Sequence, residues 1–557
     1  MPHIKTIPVL ILLFAVCALT YANSLGNPFL IDDYDMIVNS PFLHQPHSLL
    51  QLFIPDLSPQ AHYYRPLTHV IPIACYIFTK GNPWMCHLLN LIFFIFACFS
   101  IYKLISILFN DHRLALCTSL LFAVHPLNGL LVNYVTASIF SIQIILLAWS
   151  IIFFLHYDRD TVGRFKKFSL RACREAKFSI TSRLIPPPLA GGFARRIKHI
   201  FRHYCHYAKP ASAYAVSIIF FFLALLCHET SLALPLYLIS AMYLKDKNSL
   251  KSAIHKSLPY FLMAAPFLIL RLFLSFQAKA NAQPFEINMF QYTAAFTKLL
   301  TWYLSRFFMP DGIVLIWATS LTKGNIPLWN ALLLVFLFFA LVILEKRSSH
   351  KELFWALSWL IIGFTLVAIA CLHGLAYGLL IEPHWLFFPS IAVFTMMIYF
   401  LLKLEKLLGR LACWLVALFL FGIFGISTYQ LNNVWGDEEA YCRYWLKHVP
   451  HFVPAKNFLA SYYIDHDRYG EAEPLLSDIL TNDPQNDLAI YRLIQIALIK
   501  GNLDEAAQYI ETALRLHPQS ITFHKTAALI YTKKDNRERA QQYEQRAREL
   551  ESRSVHR

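Results

Sequence analysis

Residues 84–109, "WMCHLLNLIFFIFACFSIYKLISILF", carry one Lys or Arg, Lys103, in a run of mostly apolar and aromatic side chains. As an α-helix this run is about 39 Å long, enough to cross the ~30 Å hydrocarbon core of a bilayer. It sets the reading of the chain, because runs like it recur. They fall at about 4–22, 84–109, 113–131, 134–156, 211–228, 230–244, 255–275, 327–344, 352–372, 385–402 and 410–429, roughly eleven expected spans. The composition agrees. Of 557 residues 57% are hydrophobic, 15% aromatic and only 15% charged, against about 25% charged in a soluble protein. The sequence therefore predicts an all-α chain with a polytopic membrane bundle. The first run resembles a signal peptide, with Lys5 before it and "LTYANS" near its end, and is read as retained.

The formal charge of +15 points in a membrane protein to basic cytoplasmic loops rather than to a nucleic-acid partner. Lys and Arg crowd residues 157–210, "KDKNSLKSAIHK" (245–256), "EKRSSHKE" (345–352) and "KLEKLLGR" (403–410). Counting spans from a cytoplasmic N-terminus puts all four on one side, as the positive-inside rule asks. The acidic loop after the first span, "VHPLNGLLVNY", "CHETS", residues 276–326, "HGLAYGLLIEPHW" and the C-terminal tail then face outward. In a bacterium that is the periplasmic side of the inner membrane. "FQYTAAFTKLLTWYLSRFF" (290–308) reads as a helix lying in the interface, with Trp302, Tyr303 and Arg306 at headgroup depth; residues 66–79 are read the same way.

From about residue 436 charges rise and long apolar runs stop. Ala472, Ala506 and Ala540 are 34 apart, as are Pro484 and Pro518. A 34-residue period with Ala at the helix crossing and Pro after the second helix is the tetratricopeptide pattern. Three helix pairs, about 454–552, are expected to form a short α-solenoid. The division is thus a membrane domain at 1–435, containing the basic loop 157–210, and an outward-facing repeat domain at 436–557.

Eleven cysteines are scattered singly without a CxxC pair, so a disulfide framework is not expected. His199, His203, Cys205 and His206 cluster in the basic loop, but without the four-ligand spacing of a zinc site.

The outward ends of the spans carry costly polar groups. Ionisable residues at membrane depth are mostly functional. Asp32 and Asp33 follow the first span. Adjacent carboxylates repel, so one is expected to have a raised pKa, suited to a general base; a solvated turn would use the same residues. Arg65 in "HYYRPLTH" can fork onto a phosphate. His125, beside the helix-ending Pro126, can donate to a phosphate or a substrate hydroxyl. His228 and Glu229 interrupt an apolar stretch. Glu229 needs a partner, and could ligand a metal, hold the acceptor or pair with Arg65. Glu382 and His384 do the same before the tenth span.

With "NPFLIDDYDMIVNSP", "YYRPLTH", "LLFAVHPLNGLLVNYVTASIFSI", "CHETSLALPL" and "IEPHWLFFPS" in that order before the repeats, the chain resembles the GT-C superfamily of polyprenyl-phosphate-sugar glycosyltransferases. The resemblance is to its tetratricopeptide-bearing, O-mannosyltransferase-like (TMTC-type) branch and covers nearly the whole chain. It implies about eleven spans with an uncleaved first helix. It also implies a polyprenyl- or dolichyl-phosphate donor, and transfer of a sugar such as mannose to a protein Ser/Thr or glycan hydroxyl. The matching positions are Asp32 and Asp33 for the catalytic acidic pair, Arg65 for the donor phosphate (with His125 or His384 beside it), and His228, Glu229 and Glu382 as further polar positions. The family often has Lys-Glu where this chain has His228–Glu229, and Glu-Arg where it has Glu382–Pro383–His384. In the second place His384 is a titrating group, not a permanent cation. The resemblance leaves a divalent metal open and fixes no other cofactor. It implies membrane lipids around the bundle and a protein partner on the repeats. Two other classes use similar features: an O-antigen-ligase or oligosaccharyltransferase-like enzyme with a lipid-diphosphate donor, disfavoured by the short loop 372–384, and a non-enzymatic flippase or assembly scaffold.

Overall fold

A computed structural model of the chain describes residues 6–39, 46–55, 64–158, 212–245, 250–280, 289–319, 343, 351–371 and 379–555. It separates into two compact units, Met1–Asn433 and Val434–Arg557. Among the described residues both are helical, apart from one two-stranded antiparallel ladder, Trp317–Thr319 against Leu379–Ile381.

Among the described residues of the first unit six helices are long and apolar enough to cross a membrane, and up to seven if the bent pair His112–Val124 and Pro126–Asn133 is one span. This is fewer than the eleven expected. The expected span at 352–372 is the 21-residue helix Lys351–Cys371, and that at 211–228 is the shorter apolar helix Ser212–Cys227. That at 230–244 is the 12-residue helix Leu234–Lys245. The one at 327–344 lies outside the described residues, Ile343 apart, as do His199, His203, Cys205 and His206. The shortening has a local cause: polar residues break the runs. Pro126, which lacks an N–H, ends one helix and bends the chain by 63°. His228 stops another, its extended backbone opening the turn Glu229–Ala233. Residues 66–79 and 290–308 are helices as expected, Pro66–Thr79 and Met289–Phe308.

Hairpin chemistry sets the antiparallel order. Asn82 caps Pro83–Phe109, its side chain accepting from the Trp84 N–H. The chain reverses through Asn110 at φ 55°. Asp111 then caps His112–Val124 by accepting from the Arg113 and Leu114 N–H groups. Val135–Asp158 is the central helix, 78% buried, whereas Leu250–Leu274 and Arg410–Trp435 are only 22% buried and form the periphery. At the far end of the bundle lie the ion pairs Lys256–Asp158 (2.6 Å) and Arg113–Glu405 (2.7 Å). At the near end a buried amide network joins first and last helices. The Asn432 amide donates to the Thr20 carbonyl (2.9 Å), Asn133 donates to Asn432 (2.7 Å), and Asn27 donates to Asn133 (3.1 Å). Such groups are tolerated inside a bundle because each finds a partner.

The second unit opens with Glu438–His448 and continues as three helix pairs: Val453–Asp465 with Tyr469–Asn482, Asp487–Ile499 with Leu503–Leu516, and Ile521–Lys533 with Arg537–Val555. Ala472, Ala506 and Ala540 are buried, and Pro484 and Pro518 follow the second helices of the first two pairs. The chain turns within each pair through a left-handed residue, and these too are 34 apart: Asp467 (φ 59°), Gly501 (φ 77°) and Asp535 (φ 56°). The expected solenoid is present.

Candidate functional site

The acidic loop puts its two carboxylates in opposite environments. Asp33 is fully buried and Asp32 exposed. Asp33 accepts from the Leu30 N–H (3.3 Å), the Val135 N–H (3.4 Å), the Thr136 N–H (2.9 Å) and the Thr136 hydroxyl. Val135 and Thr136 begin the central helix, whose first N–H groups have no partner within the helix. Asp33 therefore caps that helix from a distant loop and gains from its dipole. Burial pushes its carboxyl up to about 6, against the pull of the Thr136, Leu30 and Val135 donors. The cause is burial, not repulsion by its neighbour. Just before the pair, Ile31 is held at φ 51°, an uncommon conformation for a β-branched residue. The strain lies where the surrounding bonds fix the loop.

Arg65 stands just before Pro66–Thr79, its backbone outside the α region (φ -141°, ψ 66°), as the clash with a following proline ring requires. Its Nε and Nη2 donate to Glu229 at 2.6 and 2.5 Å, a bidentate pair between half-buried side chains. A second guanidinium, Arg271, reaches the same carboxylate at 3.7 Å. Burial alone would raise Glu229, but Arg65, helped by His228 and Arg271, holds it well below the usual carboxylate range. His228 accepts at Nδ1 from the Thr230 N–H (3.2 Å), so its proton sits on Nε2, which faces Glu229 at 3.8 Å. Burial, with Arg65 nearby, lowers the His228 pKa to about 3, leaving a neutral ring.

Glu382 follows the strand Leu379–Ile381, and its carbonyl accepts from the Tyr303 hydroxyl at 2.5 Å. Its carboxylate meets His384 Nε2 at 3.0 Å. Burial pushes it up to about 7; Arg65 lowers it, while Glu229 and Asp32 raise it. Asp32, Arg65 and Glu229 are thus all within electrostatic reach of Glu382. The His228 and His384 rings lie edge to face at 5.6 Å, and Phe140 packs on both, at 5.2 and 4.4 Å. Beside the pair a groove is lined by the side chains of Tyr64, Leu225, Leu232, Phe267 and Leu270, with Glu229 and Arg271 at its polar end.

The structure thus gathers Asp32, Arg65, His228, Glu229, Glu382 and His384. Asp33 stands behind Asp32 as an anchor. His125 is apart from the group: fully buried, it accepts from the Leu127 N–H at Nδ1 and bonds the Phe307 carbonyl through Nε2. Among the described residues no three of His, Cys, Asp and Glu are placed to hold a metal ion. Sequence reasoning missed Arg271, although a lone guanidinium inside the expected span 255–275 is the kind of residue that marks a membrane-embedded site. Thr136 and Phe140 gave no sequence signal, since their importance lies in what the fold brings against them.

A tetratricopeptide repeat model matches residues 463–530. The chain is similar to the protein O-mannosyl-transferase F38B6.6 of Caenorhabditis elegans, 31% identical over 129 residues, which is 21% of this chain and 19% of the worm protein. It is also similar to the protein O-mannosyl-transferase TMTC3 of Homo sapiens, 34% identical over 124 residues, 21% of this chain and 13% of the human one. The match therefore spans less than a fifth of the length of either relative.

Proposed function

We propose that this multi-pass chain, similar in part to TMTC-type O-mannosyl-transferases and bearing tetratricopeptide repeats, is an inverting glycosyltransferase. It moves a sugar, mannose by analogy with the names of its relatives, from a polyprenyl-phosphate donor to an acceptor hydroxyl on a protein or glycan. The observation that carries this reading is the half-buried Arg65–Glu229–Arg271 cluster at the head of an apolar groove on a membrane bundle. A structural ion pair gains little there. A phosphate tethered to a lipid chain needs both parts.

In this mechanism the acceptor oxygen attacks the anomeric carbon as the bond to the phosphate oxygen breaks. The electron pair leaves on the lipid phosphate, and the acceptor proton passes to a carboxylate. Asp32 is the base, being the exposed member of its pair and within electrostatic reach of Glu382. Asp33 fixes the loop that presents it. Arg65 neutralises the departing phosphate, and His228 offers an Nε2–H on the same side. Glu382 and His384 line the sugar side. His125 is given no part in phosphate binding, because both ring nitrogens are occupied by backbone. The outward face of the membrane is the proposed side, and the repeats there hold the acceptor protein or a partner.

The test is transfer from radiolabelled polyprenyl-phosphate sugars by the full chain in lipid nanodiscs. Asp32→Asn should lower kcat by about 10²–10⁴-fold, with donor KM little changed. Arg65→Gln should lower kcat and raise donor KM. Equal transfer by wild type and Asp32→Asn removes the base assignment. Transfer only from a lipid-diphosphate sugar supports a ligase-type enzyme, and no transfer from either donor supports a scaffold. A reporter after Arg557 that glows in the cytoplasm puts the repeats on the wrong side.

A further inference from the structure

We infer that His228 reads the donor sugar. Its Nε2–H donates to the sugar's 2-hydroxyl, which in turn donates to the Glu382 carboxylate. The chain therefore takes sugars with a free 2-hydroxyl and rejects 2-deoxy and 2-acetamido sugars. This role rests on the function proposed above and names the sugar class that the site accepts.

Local bonds decide where the His228 proton sits. Nδ1 accepts from the Thr230 N–H at 3.2 Å, and the Thr230 hydroxyl stands 3.0 Å from the same nitrogen. Gln143, on the central helix, fixes that turn by donating to the Thr230 and Ser231 hydroxyls at 2.9 and 2.7 Å. With Nδ1 accepting, the single N–H of the neutral ring is on Nε2. His228 is 2% exposed, and among the described residues its Nε2 has no hydrogen-bond partner. Glu229 Oε2, at 3.8 Å, is beyond bonding reach. A buried donor left unpaired costs more than an ordinary hydrogen bond gains. The fold thus holds one neutral donor ready beside Glu229. A neutral N–H suits a hydroxyl, whereas a phosphate is better served by a guanidinium such as Arg65.

Position picks the hydroxyl. Arg65 is bonded to Glu229, and His228 is the next residue in the chain. A sugar esterified to a phosphate at Arg65 therefore brings its 2-hydroxyl, the one beside the anomeric carbon, to His228. Glu382 closes the other side. Arg65 and Glu229 are both within electrostatic reach of it. Its Oε2 meets His384 Nε2 at 3.0 Å, and a carboxylate has a second oxygen with which to accept from a hydroxyl. Behind these groups the Phe140, His228 and His384 rings touch one another, their centroids 5.2, 4.4 and 5.6 Å apart. An N-acyl group on C2 would meet that closed wall. Hydrogen bonds to a 2-hydroxyl strengthen as positive charge develops at the anomeric carbon, so the contact acts on kcat more than on KM.

The test gives the full chain, in lipid nanodiscs, four donors of one chain length. They are polyprenyl-phosphate mannose and glucose, which differ only at C2, their shared 2-deoxy analogue, and polyprenyl-phosphate N-acetylglucosamine. Transfer is measured, and so is binding with no acceptor present. Wild type should use the better of the first two at least tenfold more efficiently, in kcat/KM, than either of the others. His228→Phe keeps a ring against the wall but loses the N–H. It should lower kcat for the better donor tenfold or more, with KM little changed, and leave the 2-deoxy rate as it was. His228→Gln, which returns an N–H near the Nε2 position, should recover part of the loss. A merely structural role would lower every donor alike. Equal losses on the 2-hydroxy and 2-deoxy donors overturn the inference. So does a wild type that uses the 2-deoxy or acetamido donor as well as the better hexose, an arm that needs no variant to fold. A His228-dependent preference for the 2-hydroxyl in binding, without transfer, would sink the enzyme reading and spare this one. Transfer that is blind to C2 would do the reverse, and binding of none of the four would overturn both.

Discussion

Replacing Asp33 by Asn tests whether burial or hydrogen bonding governs the acidic loop. The carboxyl is raised from the usual 3.8 to about 6, a gap worth about 3 kcal/mol. Its folded pKa lies above the unfolded one, so the native state holds the proton more tightly. The stability this contributes is full below about pH 4 and is lost as pH rises through about 6. Asparagine does not titrate. It keeps the volume but offers one acceptor oxygen where the carboxylate offers two. If that oxygen keeps the Thr136 bonds, the amide nitrogen faces the Leu30 and Val135 N–H groups, at about 1–3 kcal/mol for each buried donor left unpaired. Wild type should therefore be more stable than Asp33→Asn at pH 4. The difference should shrink by about 3 kcal/mol by pH 7.5, where wild type carries a buried charge. Thermal unfolding of the full chain in detergent, followed by tryptophan fluorescence across this range, reads it as two melting curves converging by a few degrees. Glu382 titrates in both proteins and cancels. A difference that stays constant, or widens as pH rises, would mean that the four donors outweigh burial, and the reasoning would be wrong.

Two further substitutions test packing. A Cβ on Gly363 would lie 2.3 Å from Pro389 Cγ and 2.6 Å from its Cβ. The rigid ring has no rotamer to escape into, so Gly363→Ala should destabilise by about 1–3 kcal/mol or more. Gly422→Ala, with nothing within 4 Å, should be neutral or raise Tm, because alanine favours a helix interior by about 0.5–1 kcal/mol; equal Tm changes would refute the clash. In the repeats, Ala506 is fully buried where two helices cross. Ala506→Leu should cost about 1–3 kcal/mol and lower the helical melt seen by circular dichroism, whereas Leu488→Ala, at an exposed site, should change it little.

Features written in a local period were legible in the sequence. The 34-residue spacing of Ala472, Ala506 and Ala540 located the solenoid, and the apolar runs located the bundle helices. Where a run ends is less legible. Two expected spans ran to 228 and began again at 230, yet the structure gives helices of 16 and 12 residues separated by a turn. A single polar step inside apolar sequence changes hydropathy little but changes capping completely. The site was legible only as a set of polar residues on outward ends. Of its pairings, Arg65 with Glu229 across 164 residues was one of three options for that carboxylate, while Asp33 with Thr136 across 103 residues carried no signal.

The split of the aspartate pair explains why both members are needed in the proposed mechanism. A general base at a membrane boundary must be exposed to its substrate, and an exposed side chain on a loop is poorly fixed. Alternate residues of a turn point in different directions, so adjacent carboxylates can serve opposite purposes. One enters the fold and is tied to the N-terminus of the central helix; the other is held out by that anchoring. Ile31 at φ 51° sits where the loop must twist to do this, and strain of that kind persists only when nearby bonds over-determine the backbone. On this reasoning Asp33→Asn acts on catalysis through position, loosening Asp32 rather than removing a proton acceptor. Its loss of transfer should be partial, and smaller than that of Asp32→Asn. If Asp33→Asn abolished transfer and Asp32→Asn did not, the roles would be exchanged, and a buried carboxylate with four donors would have to become accessible during turnover.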